Sequence, residues 1–166
     1  MRWLRRRRGD RIWGPARPTF KGLHVANHDR ARLIFHGAIV LLVGLLCGLP
    51  TVMEASTEPV RFWHTAHEAL IMMGVWILAE SSVLPTLVLP RREAAALVWS
   101  LLAMGYGFMT ALVLGGIIGA SPFEPGNTPA TFFAFFAAVL GILGAVLATA
   151  LTLMGARAAL KGTGGD

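Results

Sequence analysis

Thiols and carboxylates are scarce in this chain. Cys47 is the only cysteine among 166 residues, which excludes an internal disulfide and any thiolate cluster for zinc or iron–sulfur. It is expected to be an inert buried thiol. Acidic residues number nine against fifteen Lys and Arg, and charged residues make up only 14% of the chain. That is too little charge for an ordinary soluble domain. No glycine-rich nucleotide loop and no paired-cysteine metal motif occurs.

Apolar sequence fills the space that charge leaves. The chain is 55% hydrophobic with a mean hydropathy of +0.61. The apolar residues fall into four blocks, at roughly residues 33–51, 66–89, 94–118 and 130–155. Each is long enough to cross ~30 Å of hydrocarbon, which takes about 20 helical residues. The pattern predicts an all-α, integral membrane four-helix bundle over residues 33–157. A basic arm (1–32) precedes it, and a short flexible tail (158–166) follows.

The excess of basic residues is one-sided. The first 32 residues hold nine Arg and Lys21 against Asp10 and Asp29. Arg91 and Arg92 stand between spans two and three, and Arg157 and Lys161 follow span four. The other side has Arg61 beside Glu54, Glu58 and Glu124. The positive-inside bias places both termini in the cytoplasm and the protein in the cell inner (plasma) membrane as a multi-pass chain. The arginine-rich opening reads as attraction to anionic lipid headgroups. It lacks the aromatic-interleaved module of a nucleic-acid binder, so no nucleic-acid partner is expected. About 30 residues precede the first apolar block, a layout unlike that of a cleaved signal peptide.

Small residues recur every fourth position in span three (Ala103, Gly107, Ala111, Gly115, Gly119) and span four (Ala137, Gly141, Ala145, Thr149). Such stripes let helix backbones approach closely in lipid, within a protomer or between protomers. Pro85 is expected to kink the last turn of span two. Phe132, Phe133, Phe135 and Phe136 read as an interfacial packing cluster, with an aromatic wall against a flat ligand as the alternative.

Ionisable groups in lipid are costly and mark sites. His36 lies in span one; His64, His67, Glu68 and Glu80 lie in or before span two. His64 and His67 share one helical face, and Ile71, Gly74, Leu78 and Ser81 continue the His67 stripe. Gly74, two turns from His67, leaves room for something broad. Two histidines alone do not complete a zinc site. His67 has three readings: an interfacial histidine bonded to loop backbone, a haem ligand, or a proton relay. Geometry leaves His64 open as the ligand instead. Glu80 is expected to hydrogen-bond between helices, to Tyr106 or Thr110, or to act as a catalytic acid.

Four spans of this length, His36–Gly37 in the first, Trp63 and Ala66–His67 opening the second, and Met73–Gly74 further along it resemble styrene oxide isomerase and the related hydroxylaminobenzene mutases. The resemblance covers roughly residues 33–157. It implies haem b held in the membrane by an axial histidine, which carries over to His67. It also implies a small homo-oligomer, a trimer, with haem near the contacts between protomers. In that family ferric haem is a Lewis acid that opens an epoxide without net redox change, in an apolar cavity that keeps water from the cation. This chain has Met73 where the isomerases have asparagine, and segment 104–119 of its third span offers only Tyr106 and Thr110 as polar groups.

The reading is therefore a membrane haem protein, a candidate non-redox isomerase of a small apolar epoxide or arylhydroxylamine. His67, Gly74 and Met73 are the expected cofactor-binding residues, with His64 as the alternative iron ligand. Glu80, Tyr106 and His36 are the expected catalytic residues. The rival readings are a non-catalytic haem protein (sensor, carrier or electron-transfer partner) and a haemless structural or proton-conducting bundle built on His36, His67, Glu68 and Glu80.

Overall fold

The computed structural model describes residues 21–53 and 58–162. Its elements are helices α1 (Lys21–Cys47), α2 (Leu49–Met53), α3 (Glu58–Val83), α4 (Arg91–Ile118) and α5 (Pro129–Gly162), with a 3₁₀ turn at Leu84–Thr86. Among the described residues, four segments are long and apolar enough to cross a membrane: Asn27–Val52, Arg61–Thr86, Arg91–Ile118 and Pro129–Lys161. Helix is the form an apolar chain takes in lipid, because it satisfies every backbone N–H and C=O internally. The chain is a multi-pass membrane protein of all-α class.

Helices extend past the apolar blocks at several ends. α1 begins at Lys21, so residues 21–32 of the basic arm are helical. α3 begins at Glu58 within the expected outer loop, and α5 runs on to Gly162. Polar residues at the lipid boundary keep the helical hydrogen-bond ladder, which hydropathy does not register. Trp3, Trp13 and most of the arginine-rich opening lie outside the described residues.

Proline and glycine set the turns. Pro85 does not kink α3 but ends it: α3 stops at Val83, a 3₁₀ turn holds Pro85, and Leu87 is extended at ψ 135°. The clash of a proline ring with the preceding residue disfavours continued α-helix. Gly119 closes α4 at φ 69°, with its N–H and that of Ala120 both donating to the Gly115 carbonyl at 2.9 and 3.2 Å. Only glycine takes that left-handed conformation without strain.

Neighbouring helices run antiparallel, as contacts fall in reverse order along each pair. Gly37 faces Ile77 and Leu78, whereas Gly44 faces Leu70 and Ile71. A Cβ on Gly107 would stand 2.6 Å from Gly141 N, and one on Gly144 2.6 Å from Met104 N. The small-residue stripes thus join α4 to α5 within one protomer. Gly107 and Ala111 meet Ala137 and Gly141, but Gly144 continues the seam in place of Ala145, and Gly115 packs on Pro122. Leu33, Leu70, Ile77, Leu97, Leu101 and Met104 fill the centre, all at 0% exposure. Phe132, Phe133 and Phe136 point outward instead. Both described ends of the chain lie at one end of the bundle, with the 84–90 turn. Residues 48–53 and 119–128 lie at the other, called here the far end.

Candidate functional site

His67 is held by α1. Its Nδ1 donates to the Gly44 carbonyl at 2.9 Å. Two glycines make this contact sterically open. A Cβ on Gly44 would stand 2.8 Å from Ile71 N, so its absence lets α1 lie against α3. A Cβ on Gly48 would meet the His67 ring at 2.7 Å from Nδ1 and 2.8 Å from Cε1. Gly48 lies just past the end of α1, where Thr51 Oγ1 donates to its carbonyl at 2.6 Å. The Nδ1–H bond to a backbone carbonyl fixes the tautomer of the neutral ring and leaves the Nε2 lone pair for a ligand. A metal-bound histidine is commonly oriented this way. Neither Gly44 nor Gly48 was readable as a site residue. Glycine spacing in α1 shows that helices can approach, but not what lies opposite.

His64 is placed differently. It is exposed on the first turns of α3, and its Nδ1 lies 3.6 Å from Glu68 Oε1, one turn further on. Such an exposed pair contributes little to stability. Trp63, the residue before His64, packs its ring against Gly116 of α4.

Gly74 departs from expectation. A Cβ there would stand 2.7 Å from both Leu41 N and Leu41 Cβ, so the backbone of α1 occupies the room beside it. Met73 is partly buried and packs against the central core.

The remaining candidates form two separate polar pairs. His36 Nδ1 and the Tyr106 hydroxyl share a 2.7 Å hydrogen bond between α1 and α4, with the rings edge-on at 5.6 Å. Gly37 lies level with Ile77 and Leu78, which puts this pair about 15 Å from His67 along α3 at 1.5 Å per residue. Glu80 lies deeper still, one turn from the end of α3. Its Oε1 accepts from Trp76 Nε1 at 3.3 Å, and its Oε2 accepts from Thr152 Oγ1 at 3.1 Å. The expected partners Tyr106 and Thr110 are not used, because Tyr106 is committed to His36 and α5 supplies the hydroxyl. The structure therefore does not gather His67, Tyr106, His36 and Glu80 into one centre. Cys47 is free and buried.

Among the described residues, no three His, Cys, Asp or Glu side chains come together to hold a metal ion. A metal bound at His67 has to bring its other ligands with it, as iron does in a porphyrin. The donor set fits that group: one imidazole, oriented by a carbonyl, with its second nitrogen available.

A membrane four-helix bundle carrying one backbone-oriented histidine is the class of protein these observations define. The family model of styrene oxide isomerase matches residues 29–159, and the chain belongs to that family. Searches of the curated proteins and of the solved structures give no significant match.

Proposed function

We propose that this chain is a membrane-embedded haem b protein with His67 as its axial ligand, acting as an isomerase without net redox change. The observation that carries this reading is the His67–Gly44 hydrogen bond, which aims a neutral Nε2 donor away from α1. Family membership supports the isomerase class. Ferric haem, when bound, supplies a Lewis acid to a small apolar substrate, an epoxide or an arylhydroxylamine. His67 anchors the group and Gly44 keeps its ring from turning. The apolar flanks of the bundle keep water from the site, which matters wherever a cationic centre develops.

The filled centre supports a position for haem at the edge of the protomer. Leu70 and Ile77, on the face of α3 turned to the core, are fully buried, and no room for a flat macrocycle remains among them. His67 itself is only half-buried. A second copy of the chain would close over that flank, in keeping with the trimer that the resemblance implies. The basic arm and the turn at Arg91 and Arg92 face the cytoplasm of the inner membrane on this reading. His36–Tyr106 and Glu80–Thr152 act as clasps between helices, since one small substrate at His67 does not reach ~15 Å along α3.

The test is the absorption spectrum of the protein purified in mild detergent from haem-supplied cells. A Soret band lost in His67→Ala and kept in His64→Ala, Tyr106→Phe and Glu80→Gln is the expected result. A colourless wild-type protein refutes the haem reading. A low-spin six-coordinate spectrum points to a carrier rather than an isomerase. Conversion of styrene oxide or phenylhydroxylamine then decides the substrate.

A further inference from the structure

A small cavity opens on the opposite side of α3 from His67. Thr65, on its lining, is two residues from His67 and so about 200° around the helix. The cavity measures about 150 Å³ and sits at the far end, between α3, α4 and the loop that follows Gly119. Phe62, Leu112, Pro122 and Phe123 give it apolar walls, and Arg61 stands at its margin. A cavity of this volume with apolar walls takes one benzene ring.

Two of its polar groups, Ser121 and Arg61, have donors to spare. Thr65 Oγ1 donates to the Arg61 carbonyl at 3.1 Å, so its proton is used. Ser121 Oγ accepts from Phe123 N at 3.3 Å, which leaves its own O–H to donate. The Arg61 guanidinium is exposed, 5.8 Å from the Phe62 ring. Glu124 follows Phe123 but is exposed and does not line the cavity. A guanidinium presents a planar fork that matches a carboxylate.

We propose that this cavity is a binding site for a small aryl carboxylate, with the ring between Phe62, Leu112 and Pro122 and the carboxylate on Arg61 and Ser121. The site stands apart from His67 and does not depend on haem. Charge selects the acid, and volume limits it to a single ring.

Isothermal titration of the full-length protein in detergent with sodium benzoate tests this. The expected Kd is about 1 mM, within reach of a fragment of this size. Arg61→Gln is expected to weaken binding roughly tenfold, the scale of one charge-assisted hydrogen bond. Benzyl alcohol is expected to bind as weakly to the wild type as benzoate does to that variant. Leu112→Phe fills the cavity from α4 and Thr65→Leu fills it from α3; either one, if folded by size-exclusion profile, should abolish binding. His67→Ala should leave it unchanged. Benzoate that binds no better than acetate, or equally well in Leu112→Phe and Thr65→Leu, overturns the proposal. So does a phospholipid that native mass spectrometry finds on the wild type, absent from Arg61→Gln and not displaced by benzoate.

Discussion

Replacing Gly44 with alanine separates two roles that meet at one residue. In most helices the change from glycine to alanine stabilises by about 0.5–1 kcal/mol, because alanine loses less backbone freedom. Here the sign should reverse. The new methyl would stand 2.8 Å from Ile71 N and 3.0 Å from the Leu70 carbonyl carbon. Those are backbone atoms, and no rotation removes them. Restoring an ordinary contact of 3.4 Å parts α1 from α3 by about 0.6 Å. The same shift carries the His67–Gly44 hydrogen bond from 2.9 Å to about 3.5 Å, past the usual N–H···O range. Overpacking costs roughly 1–3 kcal/mol, and the lost bond adds about 1 kcal/mol. Gly44→Ala should therefore destabilise by roughly 2–4 kcal/mol in mixed-micelle unfolding with SDS and lower the Soret absorbance at fixed haem supply. Gly48→Ala is the matched control. Its methyl meets the His67 ring most closely, with the Leu45 carbonyl oxygen further off at 3.2 Å, and a ring can swing aside. Stability should fall by only about 1 kcal/mol, the value of the His67–Gly44 bond that the swing breaks, while haem retention falls. A Gly44→Ala protein as stable as the wild type, or more so, would refute the close crossing of α1 and α3 from which both effects are derived.

The two polar clasps make further predictions. Tyr106→Phe and His36→Leu should each destabilise, and a double-mutant cycle should return a coupling of about 0.6–1 kcal/mol, the range of hydrogen bonds between membrane helices. A coupling near zero would mean the 2.7 Å contact does not persist in the membrane. Thr152→Val should cost about 0.5–1 kcal/mol in the same unfolding assay, by removing the hydroxyl that α5 donates to Glu80. In a Glu80→Leu background, where the acceptor is gone, the same change should cost almost nothing.

The class of the protein was written in composition. Four apolar blocks can do little in water, and in lipid they have to be helices, because nothing there hydrogen-bonds an open backbone. α4 came out nearly as its block predicts, since Arg91 and Arg92 and Gly119 mark its two ends. His67 stood out for the same energetic reason: an imidazole beginning an apolar run requires a purpose. Its ring orientation was not legible, because the Gly44 carbonyl that sets it lies 23 residues away on another helix.

Sequence periodicity reports which side chains share a face of one helix, and says nothing of what stands opposite. For this reason Gly74 read as open space, while Leu41 of α1 lies against it. For the same reason Glu80 was matched to Tyr106, when Trp76 on its own helix and Thr152 on α5 hold it. What the sequence by itself determined is the bilayer as solvent, the number of crossings and the one histidine that most needs explaining. Only the tertiary structure decided which helices touch, which nitrogen of that histidine is left free, and that the other polar residues lie at different depths. Those depend on close approach between distant segments, where a difference of one methyl group selects one packing over another.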